Sequence, residues 1–195
     1  MPYPKTPRGI KSQITRLEEN LKIEKNTFGA IQDGRGIRYE IGPLYMLLGD
    51  YEGALKAFDF FEKNFPDDCA EPLHTLMWAL TLFKNKEFEK AESKLIDTML
   101  INVYIIPKVV GVVVDRRISK HSFYFEEEEF CQGMPKELLK HWDAEAIEWA
   151  KSAWHSENVV NIREKYIELQ NQIANARSGP RRTKLMRELG KLRKG

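Results

Sequence analysis

Six side chains could ligate a borderline metal or act as nucleophile or base: Cys69, Cys131, His74, His121, His141 and His155. None forms a Cys-x-x-Cys pair or a His pair at zinc spacing. Cys69 and His74 stand five apart across a loop-to-helix junction and read as unrelated neighbours. A tight thiolate or imidazole cage needs closer spacing or further partners, so no metal site is expected. No Gly-x-Ser-x-Gly elbow and no Gly-rich phosphate loop occurs. Gly34-Arg35-Gly36 reads as a turn, because no third glycine follows at phosphate-cradle distance. Cys131 reads as exposed but follows the acidic run Glu126–Glu129, which would raise its pKa and blunt it as a nucleophile. The chain is therefore expected to be non-catalytic and to need no cofactor.

Charge and aromatic clusters remain. From Arg177 to Gly195 there are eight basic residues and one acid, Glu188, a local charge of +7. The total is +2, so the other residues carry −5. Arg181, Arg182, Lys184, Arg187, Lys191, Arg193 and Lys194 could contact phosphates and release counterions. No aromatic is interleaved among them, so base stacking is not suggested. An acidic surface, of this chain or of a second copy, is the other candidate for that tail, and a solvated terminus the plain reading. The Glu126–Glu129 run, flanked by Phe123, Tyr124, Phe125 and Phe130, reads as a solvated loop whose aromatics dock on the body. Trp142 and Trp149, seven apart, read as core on one helix face, whereas Trp154 falls off that face as an exposed contact candidate.

The composition suits a folded body: 195 residues, 42% apolar and 31% charged. Two cysteines cannot build a disulfide framework, which fits a reducing compartment. The proline-rich start, Met1 to Pro7, has no apolar export core. The most apolar run, Met99 to Val114, is interrupted by Asn102, Pro107 and Lys108 and reads as buried core or a strand, not a membrane span. A cytoplasmic protein without a membrane contact is expected.

Periodicity places the elements. Ile10, Ile14, Leu17 and Leu21 form one stripe on an N-terminal helix that frays near Asn26–Gly29. Helices are then predicted over 37–48, 51–64, 72–84 and 87–100, joined by short turns at Gly49-Asp50, Pro66-Asp67-Asp68 and Lys86. After an irregular stretch at 101–135, helical patterning resumes at Lys136 with Leu138, Leu139, Trp142, Ala146 and Trp149 on one side. A long helix over 157–176 ends at Ser178-Gly179-Pro180, and the basic tail is helix-prone through Leu185, Leu189 and Leu192.

Two of these hairpins repeat. Tyr51-Glu52-Gly53-Ala54 aligns with Phe88-Glu89-Lys90-Ala91 at an offset of 37 residues, and Phe58 aligns with Leu95. Ile41-Gly42-x-x-Tyr45, Gly49-x-Tyr51-x-x-Ala54, Phe58 and Pro66 resemble a tetratricopeptide repeat. Gly42 and Ala54 are small where two helices would cross, Tyr45, Tyr51 and Phe58 would fill the space between them, and Pro66 cannot continue a helix. Arg38 stands where that repeat usually begins with a large aromatic. Over residues 34–155, Gly36-Ile37-Arg38-Tyr39, Phe65-Pro66-Asp67-Asp68, Asn102 to Gly111 and Glu145 to Trp149 together resemble a group of uncharacterised tetratricopeptide-like bacterial proteins.

The resemblance implies an all-α array of antiparallel helix hairpins with capping helices, no catalysis, and a concave groove lined by the first helix of each repeat. That groove would present Tyr39, Pro43, Met46 and Leu47, then Leu76, Leu80 and Phe83. The lysines, asparagines and arginines by which such repeats hold chaperone C-termini are missing. So apolar a lining suits an apolar peptide or burial by the chain's own later helices, and with only two repeats self-burial is favoured. Gly111 is expected at the crossing of a degenerate third unit. The organisation expected is a capping helix in 1–33, the repeat body with its C-terminal caps in 34–176 and a basic tail in 177–195. The expected role is a protein–protein adaptor or scaffold, with a nucleic-acid accessory bound through the tail as the alternative and homo-oligomers allowed.

Overall fold

The computed structural model describes residues 3–68, 70–114, 118 and 124–193, with Phe125 given by its backbone alone. Cys69, His121, Phe123, Lys194 and residues 115–117 lie outside the described residues. The fold is all-α, and no strand occurs among the described residues. Ten helices follow in order: α1 Pro7–Phe28, α2 Ile41–Leu47, α3 Tyr51–Asn64, α4 Pro72–Lys84, α5 Phe88–Ile101, α6 Ile105–Val110, α7 Lys136–Leu139, α8 Ala144–His155, α9 Glu157–Asn175 and α10 Pro180–Leu192.

Local chemistry explains most of the boundaries. Thr6 caps α1 by accepting from Gly9 N at 3.1 Å, and Pro7 takes the first helical position, where a missing N–H costs nothing. Asp50, Asp143 and Ser156 cap α3, α8 and α9 in the same way. The stripe Ile10, Ile14, Leu17 and Leu21 is buried against Ile41 and Leu44 of α2 and Ile37 just before it.

The predicted helix over 37–48 is broken. Residues Ile37–Tyr39 form a 3₁₀ turn and α2 begins only at Ile41. Pro43 is the reason: it has no N–H for the carbonyl of Tyr39, four residues back. That carbonyl instead faces the imidazole of His74, with His74 Nδ1 3.4 Å away. Trp142 likewise lies before α8, not on it, because Asp143 starts a new helix there. The run from Met99 is the end of α5 and the short buried helix α6, not a strand. Gly111 ends α6 in a left-handed conformation with open space where a Cβ would stand, so it is a cap and not a crossing glycine.

The 37-residue offset appears in the backbone. Gly49 N donates to Met46 O and Asp50 N to Tyr45 O; Lys86 N donates to Phe83 O and Glu87 N to Leu82 O. Each is a Schellman turn closing the first helix of a hairpin, with Gly49 (φ 72) and Lys86 (φ 63) in its left-handed position. Asn85 ties the two turns together, donating to Tyr51 O at 3.1 Å and Thr81 O at 2.9 Å. Within the first hairpin, a methyl group at Gly42 would sit 2.6 Å from the Phe58 ring, and one at Gly53 would sit 2.5 Å from Tyr45. These glycines set how closely α2 and α3 approach. Phe58 is fully buried and stacks on Trp78 of α4 at 5.5 Å, which joins the hairpins. Tyr51 does not fill the hairpin; its hydroxyl reaches His141 Nδ1 at 3.1 Å, in the segment after α7.

Two substitutions test this geometry by urea denaturation. Gly42→Ala should lower stability by about 1–3 kcal/mol, because the Phe58 ring has no room to retreat, while Gly34→Ala, with open space around it, should change little. Lys86→Gly should raise stability by roughly 1 kcal/mol by relieving the left-handed backbone; an unchanged or lower midpoint would contradict the strain assigned to that turn.

Candidate binding groove

The residues expected to line a concave groove are largely covered by the chain itself. Met46, Leu76 and Leu80 have no solvent exposure, Pro43 is buried, and Leu47 is partly covered. Phe83 stacks on Trp149 of α8 at 4.6 Å, and Trp149 stacks on Trp142 at 6.4 Å. Lys84 pairs with Asp143 at the edge of the same contact. Pro43, Met46, Leu76, Leu80 and Phe83 are thus buried within the chain, as self-burial would have it, while Tyr39 and Leu47 keep part of their surface. Trp154 is also a correction: it is buried, with the Arg163 guanidinium 4.0 Å from its ring and Arg163 Nη1 donating to its carbonyl. Cys131 is buried rather than exposed, and burial, then Glu128, pushes its thiol up to about 11.

The basic tail is a helix, not a free arm. Leu185, Leu189 and Leu192 of α10 pack on Leu169 and Ile173 of α9. Arg182 Nη1 donates to the carbonyls of Ile173 and Ala176, answering the open C-terminus of α9. Arg193 lies 3.5 Å from Glu126 and donates to the Tyr166 hydroxyl at 3.4 Å. Glu126 is thereby buried, not part of a solvated run. Arg181, Lys184, Arg187 and Lys191 stay exposed, the last three along one side of α10.

An open groove of about 400 Å³ lies elsewhere, between α1 and α3. Both helices pack on α2, which supplies the floor through Ile41 and Tyr45. Leu21, Ile31, Ala57 and Phe60 line the walls, and Gly53 leaves the space beside Tyr45. Tyr45 is the strut of this groove. Its ring lies over Gly53 of α3, and its hydroxyl donates to Glu18 of α1 at 2.8 Å. Burial, then Glu18, pushes that phenol up to about 12, so it remains a donor. Lys22 and Lys25 from α1 and Lys56 from α3 stand at the rim, all exposed. No ion pair holds these three among the described residues.

Arg38 closes one end. Its Nη1 donates to Asp33 Oδ2 at 3.0 Å and to the Asp33 carbonyl, its Nε to Asp68 at 2.7 Å, and its Nη2 to the Tyr39 hydroxyl at 3.0 Å. Tyr39 in turn donates to Asp68 at 2.7 Å. Asp33, its side chain fully covered, also accepts from Ile37 N and Arg38 N, both at 2.8 Å. Burial alone would lower the guanidinium's pKa, but hydrogen bonds to Asp33, Tyr39 and Asp68 outweigh it and raise it. For Asp68 burial acts upward, and donation from Tyr39, Ala70 N and Arg38 wins, holding the carboxyl below its usual range. Behind this knot His74 is caged by Tyr39, Phe58, Phe61 and Trp78, and its Nε2 has no hydrogen-bond partner. Burial pushes the imidazole down to about 4 against the weaker pull of the Tyr39 carbonyl and Asp68.

Sequence reasoning named neither the groove nor the knot. The available signal was Arg38 itself, an arginine at a position where an aromatic was due. Among the described residues no group of three or more His, Cys, Asp or Glu could hold a metal ion, and no helix is long and apolar enough to cross a membrane. No protein-family model, no curated protein and no solved structure matches this chain.

Because His74 is neutral when folded and takes a proton more readily when unfolded, the unfolded chain binds more protons between pH 6.5 and about 4. Stability should thus be full above pH 6.5 and fall as pH drops toward 4, by roughly 3 kcal/mol. His141, lowered by burial and Lys84, adds to the loss with the same sign. Urea midpoints measured across this window should lose most of their slope in His74→Phe; an unchanged slope would place the titration elsewhere.

Proposed function

We propose that this chain is a non-catalytic protein–protein interaction module built of tetratricopeptide-like helix hairpins, and that it meets its partner through the α1–α3 groove. The observation that carries this reading is the contrast between two apolar faces. The side expected to be concave is filled by α6, α8 and the segment around Trp142, whereas the α1–α3 groove has a largely apolar lining, a volume in the range of ligand sites and, among the described residues, no covering element. Two hairpins with matching Schellman turns support the tetratricopeptide-like description. The sparse cysteines suit a cytoplasmic setting.

A second reading, a nucleic-acid accessory, rests on the exposed side of α10. With Arg182 and Arg193 engaged internally, Lys184, Arg187 and Lys191 form the remaining stripe, with Arg181 beside it. So few phosphate contacts give a shallow salt dependence.

A photo-crosslinking residue at Phe60, in the groove, should trap a protein adduct in cells, while the same residue at Met186 on α10 should trap little. Adducts of equal yield at both sites, or none at Phe60, would overturn the interaction reading. Salt-dependent RNA or DNA binding abolished by Lys184→Glu, Arg187→Glu and Lys191→Glu together would favour the second reading instead.

A further inference from the structure

We infer that the α1–α3 groove docks one face of an acidic amphipathic helix from a partner protein. This rests on the interaction reading above and names the chemistry of the partner. The argument begins with what the groove can satisfy. Its interior is apolar: Leu21, Ile31, Ile41, Ala57 and Phe60. Most of its polar groups are paired or cationic, and Glu18 is its one acid. The Tyr45 hydroxyl is bound to Glu18, and Arg38 is bound to Asp33, Asp68 and Tyr39. The lysines at the rim donate and cannot accept.

An extended peptide laid here would bring several backbone N–H groups to a groove whose side-chain acceptors are Glu18 and the Tyr45 oxygen, and each N–H buried without a partner would cost about 1–3 kcal/mol. A helix closes its own backbone hydrogen bonds and brings only side chains to the contact. The walls favour it too. α1 and α3 both rest on α2 and are bridged by the Tyr45 strut. A third helix lying over such a gap packs ridges into the grooves between its neighbours, as helices in bundles do. Apolar residues at spacings of three and four would enter the lining, the general pattern of helix-in-groove recognition.

Charge selects the flanks. Lys22 and Lys25 line one wall and Lys56 the other, with Glu18 bound at the floor strut and no acid paired to the lysines. Glutamates beside the apolar stripe of a docked helix would meet ammonium groups on both sides, while lysines there would meet like charge. Such rim charges set partner choice and association rate more than total affinity.

The test uses the full chain and a fluorescein-labelled leucine–glutamate peptide of about 15 residues, long enough to form a helix, with leucines spaced four and three apart. Fluorescence anisotropy should show saturable binding. Affinity should fall by about tenfold or more when lysine replaces glutamate in the peptide, when a central proline breaks its helix, or when the protein carries Lys25→Glu with Lys56→Glu. All three lysines are exposed, so these variants should keep the parent helical circular dichroism; Lys22→Glu, on the same α1 wall, should weaken binding in the same direction. Equal binding of the lysine peptide or the proline peptide, absence of binding, or undiminished binding to the charge-reversed protein would overturn the proposal. A concentration-dependent dimer in sedimentation that dissolves in the Lys25→Glu, Lys56→Glu protein would overturn it as well, by making a second copy the occupant. Failure here with a crosslinked adduct still formed at Phe60 would remove the acidic helix and leave the interaction reading standing.

Discussion

One guanidinium joins parts of the chain that no helix connects. Arg38 holds Asp33 from the loop after α1, Tyr39 from its own turn and Asp68 from the loop after α3. The side chain of Asp33 is fully covered, and a buried carboxylate needs its donors. Without Arg38 it would keep two backbone N–H bonds and lose its counter-ion, a change of about 3–5 kcal/mol for a buried pair. That asymmetry makes the knot a device of register. Only one alignment of α1, the 3₁₀ turn and the first hairpin lets every member find its partner. Swapping Arg38 for the aromatic usual in such repeats would fill space but leave both carboxylates facing an apolar surface.

The groove follows from that register. Pro43 ends the 3₁₀ turn's claim on a continuous helix and leaves α2 only seven residues long. A short α2 is a floor, not a wall, so α1 and α3 extend past it on either side. Tyr45 then fixes their separation: its ring needs the missing Cβ of Gly53, and its hydroxyl needs Glu18. An alanine at Gly53 would drive the ring from this position, and with it the spacing of the two walls. The apolar lining stays open because the elements that could cover it are held on the far side of α2 and α4, around Phe83 and Trp149.

The parts of this fold legible in the sequence are those decided locally. The bounds of α3 and α4 follow from Asp50, Pro72 and the turn residues beside them, and they agree with the predicted spans. The repeat was legible because Schellman turns leave a signature in residue types, although Lys86 shows that the second copy keeps the backbone after losing the glycine. The break before α2 had a local signal in Pro43, but the partner of the carbonyl it frees, His74, lies 35 residues away and leaves no trace in the local pattern. Trp154 was misplaced for a related reason: its distance from the Trp142–Trp149 face exposes it only if nothing else arrives, and Arg163 of α9 does. The groove escaped notice altogether, because Lys22, Lys25 and Lys56 each look like solvated helix positions until α1 and α3 are set side by side.

Two hairpins are fewer than a helical solenoid ordinarily needs, since each unit relies on a neighbour to cover its apolar face. Here the later helices take the place of further repeats. α8 lays Trp149 against Phe83, α9 buries Tyr166 and Ile167 in the same core, and α10 returns along α9. Covering the hairpins in this way buries their apolar residues, Leu76, Leu80 and Phe83 among them. The α1–α3 groove is lined without any residue of α8, α9 or α10. The formal charge asymmetry between body and tail therefore misdirects: Arg182 and Arg193 close the C-terminal cap upon itself, while the cations set around an open apolar surface come from α1 and α3.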